Sequence, residues 1–387
     1  MRHLFVTQDY GPDLGGMARR HVEICRRLAP DSVTVSTVAA PDDGAFDGGE
    51  QYPIRRQPFG FPRANRMGNR IRWARDLAAM ARDFDVIHAG NIRASGYAAW
   101  WAARRARIPY LVYVNGGDLL REKRKAGSLT RRLGARRIFS AAAGIVATSR
   151  WVAELSAEVM DVVGVRHPPQ IRAFDLGTDP AWFYPRPDSA DFRARWNVGD
   201  APLIITVARL VTHKGQDMGI RALARLRPAF PDVRYVLVGE GPEESRLREL
   251  AAALGVADRV VFAGVLRDSE LPDAYSAAAV YLGASRVERE IDVEGFGISF
   301  IEAAACGLPS VAGDSGGIRS AVRDGQTGLL VPPSDVSAIV GALELLLRDE
   351  AMRAEMGAAG RAAVETHYNW DRVASDTRQF ARDVTGR

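Results

Sequence analysis

Short apolar runs alternate along this chain with longer stretches in which apolar residues recur every three to four positions. Each run is apolar at consecutive positions, as expected for strands covered on both faces in a parallel sheet under helices. In the first half the runs predict strands from His3 to Thr7, Val33 to Thr37, Asp85 to His88, Tyr110 to Val114, Gly144 to Thr148 and Ile171 to Phe174. A second series covers Leu203 to Ala208, Val233 to Val238, Val260 to Phe262, Val280 to Leu282, Ser310 to Ala312 and Gly328 to Val331. Between the two series, Gly177-Thr-Asp-Pro-Ala-Trp-Phe-Tyr-Pro-Arg-Pro187 holds three prolines, which rule out a helix or central strand and mark a linker. The expected architecture is α/β. Two Rossmann-like, doubly wound domains, 1–180 and 181–367, face each other across a cleft, with ligands at the carboxyl ends of the strands. A last amphipathic helix in 368–387 either closes the second domain or crosses back to the first. Pro41 to Arg66 and Gly116 to Arg137 read as first-domain loops that shape an acceptor pocket.

Composition narrows the class. The chain has 387 residues, 47% hydrophobic and 26% charged, the balance of an ordinary globular protein. Its two cysteines, Cys25 and Cys306, fall in apolar helical patterns, so neither a disulfide framework nor a cysteine metal site is expected. The N-terminal apolar run is too short for a signal peptide and no segment reaches the length of a membrane span, which fits a cytoplasmic setting. Residues 1–180 carry 28 Lys and Arg against 18 Asp and Glu, and the remainder 24 against 29. Much of the excess lies in 121–137. That run is open to two readings, peripheral contact with the anionic inner face of a membrane or a solvated helix face. Nucleic acid is not an expected partner, since no aromatic interleaving or reader motif accompanies the charge.

Candidate chemistry sits where strands end. Asp292-Val-Glu-Gly-Phe-Gly-Ile-Ser-Phe-Ile-Glu302 sets two carboxylates, Glu294 and Glu302, around a turn formed by Gly295, Phe296 and Gly297 that feeds an apolar helix. Amides at a helix N-terminus suit phosphate, and carboxylates suit sugar hydroxyls. Arg209 and Lys214 follow the strand Leu203 to Ala208 and suit a pyrophosphate, Arg as a planar fork and Lys as a point charge. Gly15 and Gly16 end Gly11-Pro-Asp-Leu-Gly-Gly16 and open a helix, although the G-x-G-x-x-G spacing of a dinucleotide site is missing. Gly239, after the strand Val233 to Val238, and Val265, after Val260 to Phe262, lie where a flat base could rest. Asp314-Ser-Gly-Gly317 is a further amide-rich turn. Asp83-Phe-Asp85 has a metal-binding spacing but only introduces a strand, and Arg209 with Lys214 supplies the charge a metal would bring. No metal is expected.

These motifs together resemble the retaining family 4 glycosyltransferases of GT-B architecture. The most specific parts are the two glutamates separated by seven residues, the Arg209 and Lys214 pair, Gly15-Gly16, and Ala304-Ala-Cys-Gly-Leu-Pro309 leading to Gly316-Gly317. Within the family, the stretch from Asp292 to Ala303 is similar to phosphatidylinositol mannoside mannosyltransferases that use GDP-mannose. The resemblance implies that Glu302 holds the nucleotide ribose and Glu294 the donor-sugar hydroxyls. It also implies that amides of Phe296 and Gly297 serve the donor, Arg209 and Lys214 its diphosphate, Gly16 the phosphate, and Val265 the base. It implies transfer of a mannose- or glucose-type hexose to a hydroxyl of a lipid or glycan acceptor by front-face attack, with no cofactor beyond the nucleotide sugar (GDP-mannose or a UDP-sugar). Two departures stand out. Asn115 occupies the position of the usual family histidine near the sugar O6, with His88 as a second candidate for that role. Gly316-Gly-Ile-Arg-Ser320 lacks the usual Pro-Glu. Two other readings compete: a glycoside hydrolase working with Glu294 and Glu302, and a noncatalytic nucleotide-sugar sensor.

Overall fold

The computed structural model describes residues 1–12, 15–28, 32–186, 190–288 and 292–386. Asp13 and Leu14 of the first glycine turn and Pro187 of the proline-rich break lie outside the described residues. The chain divides into two compact units, residues 1–176 with 370–387, and residues 177–369. Residues 177–180, expected with the first domain, cluster with the second. The reason is local: Thr178 forms a parallel bridge with Asn369 and its N–H donates to the Tyr368 carbonyl at 2.9 Å.

The first unit is built on seven strands, β1 (His3–Val6), β2 (Val33–Val38), β3 (Ile54–Gln57), β4 (Val86–Ala89), β5 (Tyr110–Val114), β6 (Gly144–Ala147) and β7 (Gln170–Ala173). All pair in parallel in the order β3-β2-β1-β4-β5-β6-β7. β1 and β5 are buried along their whole length, which is why continuous apolar runs foretold them. β3 was not foreseen. It lies at the sheet edge with sequence Ile-Arg-Arg-Gln and, among the described residues, pairs only with β2, so it needs no two-sided apolar run. It lies within the stretch Pro41 to Arg66 that reads as a loop, which also holds the helix Asp43–Gly48.

Helix Gly16–Leu28 turns Ala18, His21, Val22, Cys25 and Leu28 toward the core at helical spacing. Helix Trp370–Thr385 belongs to this unit and buries Trp370, Val373, Ala374, Thr377, Phe380 and Ala381. Phe380 fills the space above Gly144, where an added Cβ would stand 2.4 Å from its ring. Ion pairs Arg27–Asp371 and Arg172–Asp383, both 2.7 Å, hold the helix at its two ends.

The second unit carries six parallel strands, β8 (Leu203–Val207), β9 (Arg234–Val238), β10 (Val260–Gly264), β11 (Val280–Gly283), β12 (Ser310–Gly313) and β13 (Gly328–Val331). Their order is β10-β9-β8-β11-β12-β13. In each sheet the winding reverses beside the first strand, between β1 and β4 and between β8 and β11. Ligands of open α/β sheets gather at the carboxyl side of that reversal. Both units are Rossmann-like, and each has its own apolar core.

Candidate active site

In the second unit the strand reversal brings together two loops that are far apart in sequence. One follows β8 and carries Arg209 and Lys214; the other follows β11 and carries Glu294 into helix Ile298–Ala305. Lys214 Nζ donates to Glu294 Oε2 across this junction. The pair is partly sheltered, with side chains 22% and 18% exposed. Burial pushes the Glu294 carboxyl up, but the Lys214 ammonium and its hydrogen bond, His213 and the Phe296 amide outweigh it, so the group lies below the ordinary carboxylate value. The Phe296 amide, expected to serve a ligand, is turned onto the Glu294 carboxylate in this structure.

Gly297 starts the helix in a left-handed conformation, φ 97°, which residues with a side chain rarely adopt. Among the described residues no side chain caps that helix, so its first turn keeps the anion-attracting character of an uncapped N-terminus. Gly295 and Phe296 make up the turn before it, with the Phe296 ring buried near Tyr368. Glu302 lies one turn further along, only 6% exposed, and accepts a 2.9 Å hydrogen bond from the Tyr275 hydroxyl. Burial and the neighbouring Glu302 raise the Tyr275 phenol well above its ordinary value, so it stays a donor to Glu302.

Arg209 is exposed just past β8, and its carbonyl accepts from Gln216 Nε2 at 2.9 Å. The Gly239 N–H, at the end of β9, donates to the Gly264 carbonyl at 2.8 Å. Val265 follows β10 with 66% of its surface exposed, a large apolar side chain displayed at the ligand edge.

A second pairing escaped sequence reasoning. Arg286, after β11, donates to both Asp217 carboxylate oxygens at 2.9 and 3.2 Å, and its N–H donates to the His213 carbonyl at 2.8 Å. The loop of Glu294 is thereby tied to the helix Gln216–Leu226 that begins after Lys214. In sequence, Asp217 reads only as first-turn helix charge. Tyr275 likewise lay in an unremarked apolar helix.

In the first unit, Gly15 and Gly16 are exposed at the start of helix Gly16–Leu28, and an added Cβ on Gly15 would meet no atom within 4 Å. Packing therefore does not demand glycine at 15. Asn115 follows β5 half-buried; its N–H donates to Asp118 Oδ1 at 2.9 Å. His88 is fully buried on β4, stacked on Phe5 and bonded through its two ring nitrogens to Tyr113 and His3, each at 2.9 Å. It is a core residue and does not stand in for the family histidine. Among the described residues no group of three or more His, Cys, Asp or Glu could hold a metal ion, and no helix is long and apolar enough to cross a membrane. Both cysteines are free and buried.

The family pattern Glycosyltransferase Family 4 matches residues 14–166 and that of Glycosyl transferases group 1 matches residues 188–363. A GDP-mannose-dependent monoacylated α-(1-6)-phosphatidylinositol monomannoside mannosyltransferase of Corynebacterium glutamicum is 30% identical over 95% of this chain and 94% of its own length. The chain belongs to the family 4 glycosyltransferases of GT-B fold and is close to the phosphatidylinositol mannoside mannosyltransferases. The corresponding GDP-mannose-dependent α-(1-6)-phosphatidylinositol monomannoside mannosyltransferase of Mycolicibacterium smegmatis is 44% identical over 50% of this chain and 51% of its own length. In that match, as in those to Mycobacterium tuberculosis, the chain spans about half the length of the relative. Among solved structures, sucrose-phosphate synthase from Thermosynechococcus elongatus superposes with TM-score 0.80 at 25% identity over all of both chains. Anabaena HepE in complex with UDP and glucose gives TM-score 0.80 at 21% identity, covering 99% of this chain and 100% of HepE.

Proposed function

We propose that this chain transfers a hexose, mannose from GDP-mannose before other donors, to a hydroxyl of a lipid or glycan acceptor, retaining the anomeric configuration without a metal. The observation that carries the proposal is the Lys214–Glu294 pair at the β8/β11 reversal, beside the uncapped helix at Gly297. Arg209 and Lys214 bind the diphosphate and stabilise the charge that builds on it as the glycosidic bond breaks. The departing phosphate oxygen takes the acceptor's proton during front-face attack. Glu294 holds sugar hydroxyls and orients Lys214, and is not a nucleophile. Gly295, Phe296 and Gly297 present the turn to the donor, Glu302 receives the ribose, and Gly239 and Val265 frame the base. Gly15, Gly16 and Asn115 contact substrates from the first unit.

The glycosidase reading fares worse on the same geometry. It needs one carboxyl held protonated, whereas Glu294 is held ionised by Lys214 and Glu302 is closed in against Tyr275. For the acceptor, exposed Leu129 and Leu133 stand among Arg131, Arg132 and Arg136, which suits peripheral contact with an anionic membrane and a lipid substrate. Calorimetry with GDP-mannose, UDP-glucose and UDP-N-acetylglucosamine, followed by NMR of the product made with a membrane lipid extract, tests the proposal. GDP-mannose should bind most tightly and the new linkage should be α. Release of sugar from a simple glycoside without nucleotide, or a β linkage, would overturn it.

A further inference from the structure

Helix Gly16–Leu28 carries a residue its apolar stripe does not explain. Arg20 faces the core with 0% of its surface exposed. Its guanidinium lies over the Tyr113 ring, 4.6 Å from the centroid, and its Nη1 donates to Asn115 Oδ1 at 3.5 Å. Nε and Nη2 have no hydrogen-bond partner among the described residues. Nearby, Asp118 Oδ1 accepts the N–H groups of Asn115 and Leu119 at 2.9 and 2.8 Å, while its buried Oδ2 has no partner among the described residues. Burial lowers the guanidinium only to about 10, with Tyr113 and Asp118 opposing, so it is charged at neutral pH. A buried, incompletely satisfied cation is costly to the fold, and its position behind Asn115 supplies a reason for it.

A guanidinium has only donors, so the side of the Asn115 amide that faces it is the carbonyl oxygen. The amide nitrogen then points away and has no partner among the described residues. We propose that Arg20 is a positioning residue for Asn115. It holds the amide with its two N–H groups outward and keeps a permanent positive charge behind them, so that position 115 donates to an oxygen of the substrate. A histidine there would lose its charge near neutral pH, whereas the Arg20 guanidinium keeps its own; Asp118, pushed up to about 6 by burial, is the group beside the pair that titrates. This rests on the assignment of Asn115 to the substrates made above.

The test is a double-mutant cycle on the full chain, with GDP release from GDP-mannose as the readout and thermal midpoints measured alongside. Asn115→Ala should lower kcat about ten- to a hundredfold with KM for the donor little changed, and Arg20→Met should reproduce most of that loss. Arg20→Lys should recover part of it. In the Asn115→Ala background, Arg20→Met should cost nothing further. The same loss from Arg20→Met with and without Asn115, or a lowered midpoint at unchanged kcat, overturns the proposal. Should Arg20→Met fail to fold, Asn115→Asp decides the matter: it satisfies the guanidinium but removes the outward N–H groups. It should match Asn115→Ala in kcat with a midpoint no lower than wild type, and retained turnover refutes the idea. Lys214→Met and Glu294→Gln separate the two levels. If both leave GDP release unchanged the transfer reading itself fails; if both lower it while Arg20 and Asn115 are uncoupled, only this inference fails.

Discussion

Replacing Gly316 by alanine adds one methyl group more than twenty residues from Glu294 in sequence, yet the structure puts that methyl against the Glu294 backbone. The added Cβ would stand 2.4 Å from the Glu294 carbonyl oxygen and 2.6 Å from Val293 Cγ2, at a left-handed φ of 57°. Gly317 meanwhile holds the same carbonyl by a 2.9 Å hydrogen bond from its N–H. The left-handed backbone costs an alanine about 1 kcal/mol. Relieving the contact to the 3.4 Å of ordinary packing requires the Glu294 carbonyl to retreat by about 1 Å, which strains or breaks the Gly317 bond. Together these predict a loss of about 2–3 kcal/mol and a fall of roughly 4–12 °C in the midpoint of the second unit. With Glu294 in its proposed role at the donor, a shift of that size should lower turnover about a hundredfold. The assay pairs differential scanning calorimetry with GDP release from GDP-mannose. Gly15→Ala is the control: its added Cβ meets nothing within 4 Å, so the midpoint should stay at the wild-type value while turnover falls through obstructed backbone approach to substrate. Wild-type midpoint and turnover in Gly316→Ala would refute the packing argument, and wild-type turnover in Gly15→Ala would remove Gly15 from the site.

Lys214→Met should lower turnover about a hundredfold while costing only about 1–2 kcal/mol of stability, because its partly sheltered pair lies between exposed and buried ion pairs in strength; turnover within about twofold of wild type would count against its role. Burial is the main cause that lowers His3 to about 4, His21 to about 3 and His88 well below the ordinary 6.5, so the native first unit keeps them neutral while the unfolded chain protonates them. Their stabilising contribution is present above pH 6.5 and is lost as pH falls toward 4 and below, by about 1.4 kcal/mol per histidine per pH unit. Urea midpoints across that range should therefore show a shallower pH slope in His3→Phe than in wild type, and equal slopes would contradict the argument. Phe380→Ala empties the space over Gly144 and should cost about 3–5 kcal/mol in denaturant titration; a loss below about 1 kcal/mol would show that the C-terminal helix contributes little to the first core.

What the chain determines locally was legible without coordinates. Strands such as Tyr110–Val114 and Leu203–Val207 announce themselves because burial on both faces demands consecutive apolar residues. Edge strand Ile54–Gln57, paired on one side only, is under no such demand and was invisible. Arg209, Lys214 and Gly239 could be singled out because each follows a strand, where ligand edges lie, and Glu294 because it flanks a glycine turn that opens a helix. That Lys214 grips Glu294, 80 residues away, depends on β8 and β11 being neighbours at the point where the sheet reverses. The same holds for Arg286 with Asp217, Tyr275 with Glu302 and Arg20 with Asn115. Nothing in the sequence pairs any of these residues, because periodicity records which face is buried and carries nothing about which distant strand will lie beside it. The residue types and their strand-end positions came from the sequence alone. Their pairing was decided by sheet order, through parallel crossovers that bring loops distant along the chain to one edge.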